Sequence, residues 1–212
     1  GSLGVTHVEA VILTHFHLDH VGGLASVLKG RQVDRVYVSP IHEPGAEVSR
    51  VQAAAGGIPV SDLTAGTVLG FGDVRIEVWA PTRRFAGGSV PNNGSVVALV
   101  EHGDLSVLMA GDIEREAGAD LAQRLARTPA MAAKASTLDV LKSPHHGSAN
   151  LDPRLMSVIS APVAVISVGA DNDYGHPSPV HLRLLEARGT RVLRTDRNGA
   201  VAVILEGTDV GV

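Results

Sequence analysis

The chain is organised around the stretch Thr14-His15-Phe16-His17-Leu18-Asp19-His20-Val21-Gly22-Gly23. It follows the apolar run Ala10-Val11-Ile12-Leu13, which has the character of a buried strand. We therefore predict a strand, a tight loop that carries the polar residues, and a helix from Val21 to Leu28.

Four side chains of this loop, three imidazoles and one carboxylate, are of the types that bind zinc and similar divalent metals. We expect His15 and His17 to converge on one ion, while Asp19 and His20 face a second ion beside it. Two metals about 3.5–4 Å apart form a known hydrolytic arrangement. The alternative is a solvated loop with incidental histidines, but lone histidines rarely cluster with a carboxylate at this spacing.

Composition narrows the class of protein. The chain has 212 residues, 44% of them hydrophobic, which suits one globular domain over residues 1–212. It has no cysteine, so neither a disulfide framework nor a thiolate metal site can form. No apolar run is long enough to span a bilayer. A net charge of -4 does not fit a tight, basic nucleic-acid surface, and 3% aromatic residues argue against a platform for stacking single-stranded bases.

Strands and helices alternate along the chain, which predicts an α/β sandwich of sheets covered by helices. Three more loops follow predicted strands and carry polar residues, as the first motif does. The pattern also predicts a hairpin of 95–101 with 105–110, a helix over 113–127, a flexible loop over 128–137, and a closing hairpin of 191–194 with 200–205.

The three polar loops hold Asp112, the pair His145-His146, and His176. Asp112 is suited to bridging two metals, or alternatively to capping a helix that begins at Ile113. Its combination with the first motif favours the metal. Adjacent side chains in a loop diverge, so we expect His146 to bind metal and His145 to face the substrate or to support a ligand.

The H-x-H-x-D-H motif of residues 15–20 is a signature of the metallo-β-lactamase fold, and the chain resembles that superfamily. The resemblance implies an αβ/βα sandwich with the metal site at one edge of its two sheets. Members carry two strands and a helix before this motif, for which the chain has no room. We therefore expect an N-terminally incomplete domain that lacks its first strands, with an exposed sheet edge where a second copy could pair.

Four further segments resemble one branch of the superfamily, the C-terminal domain of ComEC-type DNA-uptake channel proteins of competent bacteria. The resemblance implies a metal-dependent nuclease that degrades the DNA strand not transported. It implies a soluble domain on the extracytoplasmic side of a bacterial cell-membrane protein, with the channel domains as partners. The alternatives are a phosphorylcholine esterase or other small-ester hydrolase, and a non-catalytic docking domain. The segments are residues 92–97, 108–114, 142–148 and 167–177.

One departure from the superfamily concerns the metals. Many members carry another ligand histidine in the loop before the hairpin, where this chain has Pro91-Asn92-Asn93-Gly94. Asparagine offers only a neutral amide oxygen, so the site of His15 and His17 is expected to be weaker or to favour manganese over zinc. We therefore expect one or two divalent ions per chain, Mn or Zn.

The mechanism that the resemblance implies is attack of a metal-activated hydroxide on phosphorus. His176 is expected to donate a proton to the leaving alkoxide or to contact the phosphate, a structural loop histidine being the alternative. Asp19, His145 and His176 are thus the candidate catalytic residues. Without a basic stripe, binding to DNA is expected to depend on the metal site more than on counterion release.

Overall fold

The computed structural model describes residues 4–206 and 209–211. In that part of the chain, sheets and helices form the layered α/β sandwich that the sequence predicts, with the polar loops at one edge. The strands are β1 (His7–Val8), β2 (Val11–Ile12), β3 (Gln32–Val33), β4 (Val36–Val38), β5 (Val60–Asp62), β6 (Val68–Phe71), β7 (Val74–Ala80), β8 (Val97–His102), β9 (Leu105–Met109), β10 (Val140–Lys142), β11 (Val163–Ile166), β12 (Arg191–Arg194), β13 (Ile204–Glu206) and β14 (Asp209–Gly211).

The helices alternate with these strands, and a short 3-10 turn at Pro144–Gly147 follows β10. They are α1 (Leu18–Val21), α2 (Leu24–Leu28), α3 (Gly45–Ala55), α4 (Val90–Asn93), α5 (Arg115–Arg127), α6 (Pro129–Ser136), α7 (Pro153–Val158), α8 (Pro179–Glu186) and α9 (Thr195–Asn198).

The large sheet is mixed and has the strand order β12-β11-β10-β9-β8-β7-β6. Strands β6 to β9 form an antiparallel meander, and β9 to β12 are parallel to one another. Parallel strands require crossover helices, and α5 to α8 supply them. The smaller sheet is parallel, with the order β2-β4-β5.

Apolar side chains pack in layers on and between these sheets. Leu121 and Leu125 of α5 pack with Leu108 of β9 on one face of the large sheet. Leu63, beside β5, packs with Val78 of β7, which joins the two sheets. Residues of α1, α2 and α3 cover the remaining face of the small sheet. The ends of β2, β9, β10 and β11 therefore meet at one edge of the sandwich.

Two predictions for the second half of the chain are wrong. Residues 129–136 form α6 and not a flexible loop, because alanine is the best helix former and Pro129 stands in the first turn, where it needs no N–H partner. Strand β12 does not form a closing hairpin: it pairs in parallel with β11, while β13 pairs with β14. The hairpin of β8 and β9 is confirmed.

Helix boundaries near the first motif also differ from the prediction. The helix begins at Leu18 and ends at Val21, and α2 follows after Gly22 and Gly23. A side chain at position 22 would lie 2.7 Å from the carbonyl oxygen of Leu18, so glycine permits this close turn. No helix in residues 4–206 and 209–211 has the length and apolar character needed to cross a membrane.

Candidate metal centre

The first motif is held at the sheet edge by Thr14. Its carbonyl oxygen accepts a hydrogen bond of 2.8 Å from the backbone N–H of Val96, just before β8. Its hydroxyl oxygen lies 3.2 Å from Nδ1 of His15 and 3.2 Å from Nδ1 of His20. Sharing one hydroxyl orients both rings and leaves the two Nε2 atoms for contacts within the centre.

Asp112 reaches the same place from the end of β9 and is 2% exposed. Gly111 before it has a φ of 54°, and a Cβ there would lie 2.7 Å from Cβ of Ser95, so only glycine fits. The backbone N–H of Asp112 donates to Oγ of Ser95 at 3.0 Å, and the same Oγ lies 3.3 Å from Nδ1 of His15. Ser95 thus joins Asp112 to the first motif.

The helix-cap alternative for Asp112 is wrong. Helix α5 begins at Arg115, with Glu114 as its N-cap. The side-chain oxygen of Asn93 accepts hydrogen bonds from the backbone N–H groups of Glu114 at 3.2 Å and Ala117 at 3.1 Å. Since Asn93 satisfies these groups at the start of the helix, the carboxylate of Asp112 is left for the centre.

His145 and His146 follow β10 and both have left-handed backbone conformations, with φ of 47° and 53°. This region costs a residue with a side chain about 1–2 kcal/mol, and such strain concentrates at functional sites. The turn aims His146 inward: its Nδ1 donates to the carbonyl oxygen of Ser167 at 2.7 Å. Its Nε2 then lies 3.1 Å from Oδ2 of Asp112 and 3.3 Å from Oδ2 of Asp19.

A residue of α8 that sequence reasoning missed spans this turn. His181 is fully buried, with Nε2 2.8 Å from the hydroxyl of Ser143 and Nδ1 3.0 Å from the carbonyl oxygen of Ser148. The carbonyl can only accept, so Nδ1 carries the proton and Ser143 donates to Nε2. Burial lowers the pKa of His181, which favours this neutral form. Its sequence signal is only a histidine on a helix, which indicates nothing by itself.

Four side chains have the geometry of a cation site. Asp19, His20, Asp112 and His146 each offer one ligand atom, and these atoms lie within 4.8 Å of one another. Nε2 of His20 is 3.3 Å from Oδ2 of Asp112. The second oxygen of Asp112, Oδ1, is buried and has no hydrogen-bond partner among the described residues, and it faces Nζ of Lys142 at 3.6 Å. Two carboxylates and two imidazoles at this spacing fit a divalent cation.

Electrostatics also favour positive charge here. Burial acts to raise the pKa of Asp112, but hydrogen bonds from His146 and His20 hold it well below its ordinary range. The hydrogen bond from His146 lowers the pKa of Asp19 to about 2. In return, hydrogen bonds to Asp112 and Asp19 raise the pKa of His146 to about 10. Both carboxylates are therefore ionised and ready to bind a cation.

His15 and His17 form the neighbouring part of the centre. Nε2 of His15 lies 3.1 Å from Nδ1 of His17, and the rings of His15 and His20 are 4.1 Å apart at their centres. Burial, and next the nearby His20, lower the pKa of His15 to about 3, so its imidazole is neutral, as a metal ligand must be. The structure thus brings all six predicted ligand residues to one edge.

His145 lines the cavity over the cluster and contacts two buried polar residues beside it. Its Nε2 lies 3.4 Å from the amide nitrogen of Asn92, and its Nδ1 lies 3.6 Å from Oε1 of Glu114. The Asn92 amide nitrogen donates to the same Glu114 carboxylate at 2.9 Å. That bond orients the amide, so Oδ1 of Asn92 faces away from Glu114, and it is buried without a hydrogen-bond partner in the described residues. Asn92 belongs to the stretch 91–94, where the sequence departs from the superfamily, whereas Glu114 has no local signal in the sequence.

His176 lies on the rim of the centre. Its ring is 5.6 Å from that of His145, and burial lowers its pKa. A cavity of 690 Å³ extends over Asp112, and a second of 590 Å³ extends along the loop after β11. Both are lined by Asp19, His146, Tyr174 and His176. These four side chains are therefore a common wall of the two cavities, which together are called the trough.

Comparisons with known proteins identify the family of the chain. The model of the metallo-beta-lactamase superfamily matches residues 2–152. The chain is 31% identical to ComE operon protein 3 of Bacillus subtilis, over 93% of this chain and 25% of that protein. It is 27% identical to Recombination protein 2 of Haemophilus influenzae, over 92% of this chain and 22% of that protein. The chain therefore spans about a quarter of the length of these relatives.

Solved structures show the same fold. The metallo-beta-lactamase fold protein YhfI from Bacillus subtilis superposes with a TM-score of 0.52 at 11% identity, over 88% of this chain and 74% of that one. CmlA, a diiron beta-hydroxylase from Streptomyces venezuelae, superposes with a TM-score of 0.53 at 15% identity, over 89% and 44%. The chain belongs to the metallo-β-lactamase superfamily, and its relatives include Competence protein ComA of Neisseria gonorrhoeae, which is 26% identical over 93% of this chain and 25% of that protein.

Proposed function

We propose that this chain is a phosphodiesterase that hydrolyses DNA, and that it degrades the strand not transported during natural transformation. The observation that carries the proposal is the placement of Asp112, whose carboxylate contacts His20 and His146 through Oδ2, while Oδ1 has no hydrogen-bond partner in the part of the chain that the structure describes and lies 3.6 Å from Nζ of Lys142. A carboxylate in this position can bridge two ions, the arrangement that serves phosphoryl transfer.

The metal ligands proposed are His15 and His17 for one ion, Asp19, His20 and His146 for the other, and Asp112 for both. When bound, divalent ions lower the pKa of a coordinated water and neutralise phosphate oxygens. Manganese or zinc suits this set of nitrogen and oxygen donors. Thr14 and Ser95 contact the ring of His15, and Ser167 contacts the ring of His146. These contacts fix the orientations of the two imidazoles.

Three residues are proposed to act on the substrate or to support the ligands. Asp19 is ionised and 62% exposed at its side chain, so it can orient the attacking water as well as bind metal. His176 faces the trough, and its lowered pKa favours the neutral ring, which suits an N–H donor to a phosphate oxygen. His145 is held by Asn92 and Glu114 and forms the wall between His176 and the ligands.

The shape of the site supports a polymeric substrate. The trough passes the cluster on two sides, so a chain can enter and leave without being enclosed. A small-ester hydrolase would instead need a pocket that surrounds most of its ligand. Lys142 is buried against Asp112, with Nζ 3.6 Å from Oδ1, and so contributes no positive charge to an outer surface. DNA binding is therefore proposed to depend chiefly on the ions.

The relatives named for competence support a setting in DNA uptake. We place the chain in a larger membrane protein, on the extracytoplasmic side, with the channel domains as partners. Strand β2 is the end strand of its sheet among the described residues, and we propose that this edge accepts a strand from a second copy. Light scattering of the purified chain over a range of concentrations tests the last point; a monomer at every concentration contradicts it.

The deciding experiment for the activity combines metal analysis with a cleavage assay. The chain is loaded with Mn²⁺ or Zn²⁺, its metal content is measured, and labelled single-stranded, duplex and circular DNA are offered in turn. We expect cleavage of DNA, with manganese as the better ion. Hydrolysis of p-nitrophenyl phosphorylcholine by the loaded protein without cleavage of any DNA would establish the small-ester alternative. Hydrolysis of neither substrate would favour the docking domain.

A further inference from the structure

Tyr174 differs from the other large aromatic residues of the chain in its exposure. Its side chain is 83% exposed, whereas Trp79, Phe16 and Phe85 are buried. A single exposed apolar side chain is ordinary on a protein surface, but an exposed aromatic ring that lines a cavity offers its face to a ligand bound there. Tyr174 lines both arms of the trough beside the metal centre.

The ring of Tyr174 already forms one half of a stack. It lies over His176 with ring centres 6.3 Å apart and an angle of 22° between the planes. The side-chain oxygen of Asn172 accepts from the backbone N–H of Tyr174 at 3.1 Å, and its amide donates to the carbonyl oxygen of His176. These bonds hold the backbone of the segment in one turn, and the ring of Tyr174 lines both cavities.

Charge near this ring argues for contact with a base and against contact with a phosphate. Asp171 and Asp173 are exposed on either side of Asn172 in the same turn. Two carboxylates repel the phosphates of a nucleic acid, so a strand that passes here gains little from its backbone. Every base, however, has an aromatic face that a tyrosine ring can accept without sequence preference.

We propose that Tyr174 stacks on one unpaired nucleobase of the strand whose phosphate lies at the metal centre. This inference rests on the proposed nuclease function and names its substrate more closely as single-stranded DNA or a frayed duplex end. A base inside an intact duplex is stacked on both sides and cannot reach the ring. One tyrosine stacks on one base. The low aromatic content of the chain argues against a platform of several rings.

The test uses the metal-loaded chain with Tyr174→Ala and Tyr174→Phe and a set of oligonucleotides, each with a single abasic position. If Tyr174 stacks on one base, KM for a strand without abasic positions should rise about ten-fold in Tyr174→Ala and change little in Tyr174→Phe. One abasic position should raise KM to a similar extent in the wild type and have no further effect in Tyr174→Ala. That non-additivity identifies the pair in contact.

A second readout separates this inference from the proposed activity. Binding of an oligonucleotide that carries 2-aminopurine is followed by fluorescence, which stacking quenches whether or not cleavage occurs. We expect quenching by the wild type and Tyr174→Phe and its loss in Tyr174→Ala at unchanged metal content. Equal quenching by all three proteins, or additive effects of Tyr174→Ala and every abasic position, overturns the inference. Cleavage with equal KM values in all three proteins would leave the nuclease standing and remove the stacking role.

Discussion

Nε2 of His181 lies 2.8 Å from the hydroxyl oxygen of Ser143, which begins the turn that carries His145 and His146. The other ring nitrogen of His181 holds the far end of the turn through the carbonyl oxygen of Ser148. One buried imidazole therefore closes a loop whose two histidines have a strained backbone. A residue that touches neither metal ligand nor substrate thus determines where His146 points.

We predict that His181→Ala lowers both metal affinity and stability. Loss of the buried ring leaves a cavity and two polar groups without partners, which costs about 2–4 kcal/mol. Metal titration followed by mass spectrometry of bound ions, together with urea unfolding, measures the two effects. His102→Ala is the matched control, because His102 is exposed at the tip of the β8–β9 hairpin. Equal losses in both variants would contradict the bracing role of His181.

Stability of the metal-free protein is predicted to fall in mild acid. Burial depresses the pKa of His181 below its ordinary 6.5, so the unfolded chain binds the proton more tightly. The stabilisation that comes from the lowered pKa of His181 is complete above pH 6.5. It is lost as the pH falls through 6.5 towards the pKa in the folded protein, by at most about 1.4 kcal/mol per pH unit. Urea midpoints at pH 7.5 and 5.5, with chelator, measure it. His181→Gln should show a smaller drop in the urea midpoint. His15 and the other buried histidines contribute equally in the wild type and in the variant, so the difference between the two drops is due to His181.

Asp112→Ala is predicted to abolish DNA cleavage. The carboxylate contacts His20 and His146 and is proposed to bridge two ions, so its loss removes a ligand of both. Metal content should fall, and activity should stay at background even at high Mn²⁺. Asp120→Ala, which removes an acid from the surface of α5 away from the cluster, is the control and should retain activity. Substantial cleavage by Asp112→Ala would refute the bridging assignment.

Asn92→His is predicted to strengthen metal binding. The amide oxygen of Asn92 is buried without a hydrogen-bond partner in the described chain, and an imidazole is a stronger ligand for zinc than a neutral amide. Zinc affinity should rise by about ten-fold or more, with a shift of preference away from manganese. Competition titration with a chromophoric chelator measures both. Asn93→Ala, which removes the contacts that cap α5, should instead cost about 1 kcal/mol of stability and leave metal affinity unchanged.

His176→Ala is predicted to slow turnover while metal remains bound. The ring lies on the rim of the trough, and because its lowered pKa favours the neutral form, it is assigned to a phosphate contact through its N–H. A reduction of kcat by about 100-fold fits the loss of one such contact. The comparison uses proteins with matched metal content. A fall in bound metal that accounts for the whole loss would show that His176 is a ligand instead.

Much of the fold follows from local patterns. The alternating run at Val74–Trp79 forms β7, and the turn residues His102-Gly103-Asp104 form the hairpin between β8 and β9. Errors arose where a local signal competed with the fold. The alanine-rich residues 129–136 contain Pro129, a residue common in loops, yet they form a helix because proline suits a first helical turn. Strand β12 pairs with a distant strand in parallel, and pairing across sequence is not visible in a local pattern.

The candidate ligand residues can be recognised in the sequence, because the spacing of His15, His17, Asp19 and His20, and the isolated polar residues after predicted strands, are local features of the chain. How these residues meet depends on the packing of the sheets. This packing placed Ser95 between His15 and Asp112, set His181 beneath the turn of His146, and turned His145 towards Glu114. These relationships join residues far apart in sequence, and they form only when the sheets pack and bring the strand ends to one edge.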